Sequence, residues 1–215
     1  LVDAYGRTQS QRLMPETWIV SNPEDKRDFL ARYEPNTFYI CKKNVQRKQG
    51  LLLTRNFEAL LKCQQRGFKV IQRYLRDVCT VGGRKLNLRL YVLLVCDPYG
   101  RKRAYVHRNG KCMYTSRPYD PSSEEFESQI TSVNLSETTY SEKRLPLDFV
   151  QLQQYWANEG IAFMDVFRAI VRKLAAIVDA VLPTLCFRNK FRSNRRFQLF
   201  GVDVILQRGG GRASV

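Results

Sequence analysis

From Lys85 to Val95 the chain reads Lys-Leu-Asn-Leu-Arg-Leu-Tyr-Val-Leu-Leu-Val, a run dense in apolar residues with a guanidinium inside it. From Leu88 onward, the richness in Leu, Val and Tyr is that of a strand covered on both faces. Arg89 interrupts it. Burying a guanidinium without an anion costs several kcal/mol, roughly, so this position demands a counter-charge. Two kinds of partner satisfy it: a carboxylate of the protein or a phosphate of a ligand.

Other short apolar runs, at 37–41, 51–54, 70–75, 103–107 and 197–206, read as strands, and they alternate with helical patterns. Residues 57–65 form a short helical pattern closed by Gly67. Residues 149–159 form another, followed by Gly160. The longest covers 162–182, where Val166, Ile170, Leu174 and Val178 continue an apolar stripe at helical spacing, with Pro183 as the stop. Gly82-Gly83 predicts a turn into the Arg89 strand, and Asp97-Pro-Tyr-Gly100 a turn out of it. The polar, Ser- and Glu-rich stretch 118–144 predicts a long loop. The pattern as a whole predicts an α+β fold with packed helices on mixed or antiparallel sheets. With 215 residues and 44% hydrophobic content, the chain has enough apolar material for one large domain or two small ones.

The formal charge of +16 predicts attraction to polyanions, with basic clusters at 101–103 and 188–196. Charge alone does not choose between nucleic acid, an anionic surface and an acidic protein tail. The six cysteines include no Cys-x-x-Cys pair and no Cys/His cluster, which argues against zinc and predicts reduced, structural thiols. No leading segment reads as a signal peptide and no run is long enough for a membrane span, so a soluble protein of a reducing compartment is expected. His107, the single histidine, has no evident partner for acid–base work.

Several segments, taken in order, resemble the tubulin tyrosine ligase-like family of ATP-grasp ligases. Arg12-Leu-Met-Pro-Glu-Thr-Trp-Ile19 is similar to the family's opening Pro-x-Thr-Trp segment, and Phe38-Tyr-Ile-Cys-Lys42 to its Trp-Ile-x-Lys-Pro strand. Residues 46–51 resemble a worn glycine loop, and Val70-Ile-Gln-Arg-Tyr-Leu75 the adenine-side hinge. Lys85-Leu-Asn-Leu-Arg89 resembles the Lys-Phe-Asp-x-Arg signature, and Phe197-Gln-Leu-Phe-Gly-Val-Asp203 a later strand of the fold. The branch most resembled is that of the tubulin polyglutamylases.

The resemblance implies an ATP-grasp-like fold, incomplete at the C-terminus, with one lobe segment at 1–75, a second lobe at 76–208 and a disordered or non-native tail at 209–215. It implies a ligase that activates a carboxylate as an acyl phosphate and lets an amine displace the phosphate. Lys42 and Lys85 would meet the phosphates or the polar edge of ATP, and Gln72, Arg73, Tyr74 and Leu75 would line the adenine. Arg89 would meet the phosphate or the reacting carboxylate, with Asn87 beside the nucleotide and Asp203 as a Mg²⁺ ligand. These roles bring the cations at 42, 85 and 89 onto one triphosphate. Acidic tubulin tails or another acidic protein, with free glutamate as the amino acid, would be the partners, in the cytoplasm at the cytoskeleton.

The chain departs from the family pattern where ligands are held. Asn87 stands for the signature aspartate, Lys48 for a loop glycine and Met113 for an arginine that would clamp a carboxylate. Of the His-Leu-Thr-Asn-Tyr-Ser segment only Thr131 remains, and Glu137 replaces a lysine. The Glu-x-Asn strand that shares Mg²⁺ with Asp203 is not among these residues. Three readings therefore stand: a ligase, a non-catalytic relative that binds acidic tails, and a basic nucleic-acid scaffold using 188–196.

Overall fold

The computed structural model describes every residue except 46–49, 98, 100, 133–134, 136–139, 142–143, 186–195, 210–211 and 215. Residues 46–49 of the worn glycine loop, Lys48 among them, the position of Glu137 and nearly all of the 188–196 cluster lie outside the described residues. The chain divides into two units, Val2–Arg76 and Asp77–Val215, the latter with Leu1.

The smaller unit runs α1 (Val2–Ser10), β1 (Thr17–Ile19), α2 (Pro23–Arg32), β2 (Tyr39–Lys42), β3 (Leu51–Thr54), α3 (Phe57–Leu61) and β4 (Val70–Arg73). Its strands form an antiparallel sheet in the order β1-β4-β2-β3. The start of α2 is written in the sequence: Asn22 accepts from the Glu24 amide at 2.8 Å, and Pro23 supplies a first residue that needs no N–H partner. α3 ends four residues short of the predicted Gln65, and the chain turns on to Gly67, whose φ of 80° suits a residue without Cβ. Trp18, Phe29, Tyr39, Leu60, Phe68 and Ile71 make the core, with the Trp18 and Phe29 rings edge-on at 5.2 Å.

The larger unit is built on β6 (Arg84–Cys96). It enters from β5 (Thr80–Val81) through Gly82 and Gly83, both at positive φ, the backbone that a two-residue hairpin turn requires. One edge of β6 pairs with β10 (Arg196–Ile205) from Cys96 down to Asn87. The other edge is shared by β7 (Lys102–Val106) and β8 (Lys111–Thr115), whose far side carries β9 (Thr131–Ser132). All these pairings are antiparallel. α4 (Phe126–Gln129) precedes β9, and α5 (Phe149–Asn158) and α6 (Phe163–Leu185) follow. A short hairpin, β11 (Gln207–Gly209) with β12 (Arg212–Ser214), comes last.

Burial along β6 alternates. Leu86, Leu88, Leu90, Val92 and Leu94 pack into one cluster with Phe149, Leu152, Trp156, Phe163, Val166, Ile170, Leu174 and Val178 of α5 and α6. Asn87, Arg89, Tyr91 and Leu93 point to the other face, where Tyr91 is 41% exposed. The expectation of a strand covered on both sides is thus corrected. Apolar residues occupy the open face too, so composition overstated its burial.

Three further expectations change. Pro183 lies inside α6 rather than after it, in the helix's last turn, where only two residues follow before the helix ends at Leu185. The predicted loop at 118–144 carries α4 and β9, and Ser128, Gln129 and Tyr140 are buried, because polar side chains there find partners: Gln129 donates to the Asp120 carbonyl and Tyr140 to the Cys112 carbonyl. Cys96 is disulfide-bonded, against the expectation of reduced thiols throughout, while Cys41, Cys63, Cys79 and Cys112 are free. Spacing in sequence does not report which cysteines folding brings together. Among the described residues, no helix is long and apolar enough to cross a membrane.

Candidate functional site

One side of β6 carries the predicted residues of the larger unit, buried at Lys85 and opening to solvent toward Arg89. With a period of two, Lys85, Asn87 and Arg89 emerge on the same side of the strand. The register sets Asp203 of β10 opposite Arg89 and Lys111 of β8 opposite it on the other edge. Arg89 grips Asp203 with both arms of its fork: Nε donates to Oδ1 at 2.5 Å and Nη2 to Oδ2 at 2.9 Å. Hydrogen bonding to Asp203 raises the pKa of the guanidinium further above its ordinary value. The counter-charge demanded by Arg89 is therefore a carboxylate of the protein. The side chains are 32% and 47% exposed, so the pair remains open to solvent.

Two glycines shape the approach. A Cβ on Gly201 would stand 3.3 Å from Arg89 Cδ, and its absence leaves the arginine stem its lane across β10. A Cβ on Gly110 would collide with the Phe149 ring and the Arg89 carbonyl, so only glycine fits where the β7–β8 hairpin passes over α5. Beside these strands Tyr91, Leu93, Tyr105, His107, Lys111 and Leu199 line a groove of about 620 Å³. His107 Nδ1 lies 2.8 Å from the Asn109 carbonyl oxygen.

Deeper along β6, Asn87 donates through Nδ2 to Thr131 Oγ1 at 3.2 Å, while its Oδ1 is buried without a hydrogen-bond partner. A buried acceptor left open calls for a donor, such as an ammonium or amide N–H of a ligand. Lys85 is 3% exposed, its amide donating to Thr115 Oγ1 at 3.2 Å. Met113, opposite Asn87 in the register, is buried and offers a thioether where the family's arginine was expected.

In the smaller unit, Lys42 Nζ donates to Gln72 Oε1 at 2.8 Å, and Gln72 Nε2 donates to Thr17 Oγ1 at 2.7 Å. Arg73 is committed to protein carboxylates, with Nη1 and Nη2 on Glu34 at 2.8 Å each and Nε 2.8 Å from Glu16. The hydrogen bond to Arg73 holds the Glu34 carboxyl below its ordinary range. Tyr74 is buried, its amide donating to the Phe38 carbonyl at 2.9 Å. Leu75 follows it, half-buried.

The structure thus joins Arg89 with Asp203, Asn87 with Thr131, and Lys42 with Gln72. Lys111 was missed by sequence reasoning, together with its strand; the Asn109-Gly110 turn signal before it could have marked both. The donor set suits an anion better than a bare cation. Asp203 already gives both oxygens to Arg89, and among the described residues no group of three His, Cys, Asp or Glu side chains could hold a metal. These residues by themselves do not fit Mg²⁺.

The family model described as the tubulin-tyrosine ligase family matches residues 2–209. A probable beta-tubulin polyglutamylase of Tetrahymena thermophila is 24% identical over 91% of this chain and 18% of its own length. The tubulin polyglutamylase ttll6 of Danio rerio is 25% identical over 91% of the chain and 27% of its own length. The inactive polyglycylase TTLL10 of Homo sapiens is 25% identical over 91% and 33%. The chain therefore spans no more than a third of the length of these three relatives. With its family match running through both units, from α1 to β11, the chain belongs to the tubulin-tyrosine ligase family.

Proposed function

We propose that the chain is part of an ATP-dependent carboxylate–amine ligase of the polyglutamylase type, acting on tubulin in the cytoplasm, at the microtubule. The observation that carries this reading is the fork of Arg89, in the segment that resembles the family's signature, on an open sheet face and in register with Asp203. ATP phosphorylates a glutamate side-chain carboxylate, and the amine of an incoming glutamate displaces the phosphate. Arg89 turns its fork from Asp203 to the transferred phosphate or the reacting carboxylate, stabilising charge that develops there. Lys85 and Lys42 meet polar groups of the nucleotide, and residues 72–75 meet the adenine, Arg73 through its backbone because its guanidinium is already held. Asn87 Oδ1 and Thr131 accept N–H groups of the ligand. Asp203 is the carboxylate for Mg²⁺ only in company with ligands from outside the described residues. The +16 charge draws acidic tails toward the chain.

Buried Met113 favours a second reading, a non-catalytic relative that binds acidic tails without modifying them. A relative named as inactive supports it as well. Incubating the full-length product with labelled glutamate, ATP and tubulin separates the two. Label in tubulin that disappears with Asp203→Ala supports the ligase. Tubulin binding without label supports the second reading, and neither binding nor label overturns both.

A further inference from the structure

Cys41 and Cys63 stand 22 residues apart in the chain, yet their sulfurs meet at 2.8 Å. Both residues are fully buried in the core of the smaller unit, beside Leu60, Phe68 and Ile71. Cys41 is held in β2 between β3 and β4. Cys63 sits in the turn after α3, its amide on the Leu60 carbonyl at 3.2 Å and its carbonyl on the Phe68 amide at 3.0 Å. Ordered backbone on both sides keeps the sulfurs together, at a separation about 0.8 Å longer than a disulfide bond of about 2.04 Å. The ligase chemistry uses neither thiol.

The other free cysteines differ. Cys79 and Cys112 direct their sulfurs to the carbonyl oxygens of Gln207 and Asp148, and burial pushes the Cys112 thiol up to about 12. Cys63 is shifted the opposite way: the hydrogen bond with Cys41 holds it below the ordinary thiol range, and the charge of Arg66 adds to the effect. Cys41 is pushed up by the same hydrogen bond. At this separation either thiolate of the pair has the other thiol directly against it, and the step below is written for Cys63.

We propose that Cys41 and Cys63 are a reversible oxidation site, closed to an intramolecular disulfide by hydrogen peroxide. The Cys63 thiolate attacks one peroxide oxygen and the O–O bond breaks, giving Cys63 sulfenic acid and hydroxide. Cys41 sulfur then attacks the Cys63 sulfur; the S–O bond breaks, and the departing hydroxide with the proton of Cys41 leaves as water. The hydroxide of the first step takes the proton that Cys63 gave up on ionising, so the two thiols lose two electrons in all and peroxide is reduced to two waters. Burial ordinarily leaves a cysteine inert. Here it admits a small oxidant through local opening, and the adjacent thiol consumes the sulfenic acid before further oxidation. The bond pins β2, the strand that carries Lys42, to the end of α3.

The test uses the chain reduced with dithiothreitol, freed of reductant, titrated with hydrogen peroxide, alkylated and digested without reduction. Mass spectrometry is expected to find a peptide pair joined through Cys41 and Cys63 that grows with peroxide and is lost on adding dithiothreitol, while Cys112 stays alkylated. The proposal is overturned if both cysteines are recovered alkylated, if sulfinic acid accumulates without the cross-link, or if Cys63 joins a different cysteine. In Cys63→Ala, Cys41 should stay alkylated at the same dose. Should that variant fail to fold, the map of the parent chain decides alone.

Discussion

Asp203→Ala separates two roles that the fold places on one ion pair. The pair is bidentate, at 2.5 and 2.9 Å, but its side chains are 32% and 47% exposed. Exposed pairs are worth about 0.2–1 kcal/mol, and the fork geometry puts this one near the upper end, so the variant should lose about 0.5–1 kcal/mol of stability. The same energy opposes any phosphate that takes Arg89 for itself, since the guanidinium must first release Asp203. Relieving about 1 kcal/mol of competition corresponds to roughly fivefold tighter binding. Titration calorimetry of ATP in the presence of EDTA should therefore show Asp203→Ala binding up to about fivefold more tightly than the parent, and Arg89→Ala more weakly. Equal metal-free affinities for the parent and both variants would refute the argument that Arg89 exchanges a carboxylate for a phosphate.

Asp148 caps α5, accepting from the Gln151 amide at 2.9 Å and from Asn109 Nδ2 at 3.2 Å. Asp148→Ala should cost about 0.5–2 kcal/mol in urea unfolding, the range for a lost N-cap. The backbone hydrogen bond from Gln151 is the main reason that its carboxyl lies below the ordinary value. Its stabilisation is therefore complete above the unfolded pKa, near 4, and is lost as pH falls through the lower folded value; Asp148→Asn should flatten that part of the acid limb. Gly110→Ala should destabilise by roughly 1–3 kcal/mol or more, read from a thermal melt, because the new Cβ meets the Phe149 ring and a rigid backbone carbonyl. Leu88→Ala should cost roughly 2–5 kcal/mol and Tyr91→Ala much less, as they lie on opposite faces of β6. Equal losses would refute the one-sided sheet.

The strands most visible in sequence are those with dense Leu, Val or Ile content and a clear turn at one end. Leu51–Thr54 is recovered residue for residue, and the β6 run is recovered as the middle of a longer strand. β8 escaped because Lys-Cys-Met-Tyr-Thr has no alternation to detect: its last four residues are all buried. The α6 stripe was legible from its spacing, but its end was misplaced, since Pro183 was weighed as a stop rather than as a residue tolerated in a final turn. Of the candidate site, Arg89, Asn87 and Lys85 could be named from the signature segment. Which face they share with a groove could not, because Tyr91 and Leu93 look as buried on paper as Leu88 and Leu90.

By itself the sequence determined the α+β elements, the need of Arg89 for an anion and the family likeness, since each rests on short-range periodicity or on residues adjacent in the chain. Only the tertiary structure decided what meets what. Arg89 finds Asp203 across 114 residues, Cys41 finds Cys63 across 22, and Asn87 keeps one oxygen without a partner. Such pairings follow from strand register and core packing. They are cooperative properties of the whole sheet, and no local pattern encodes them.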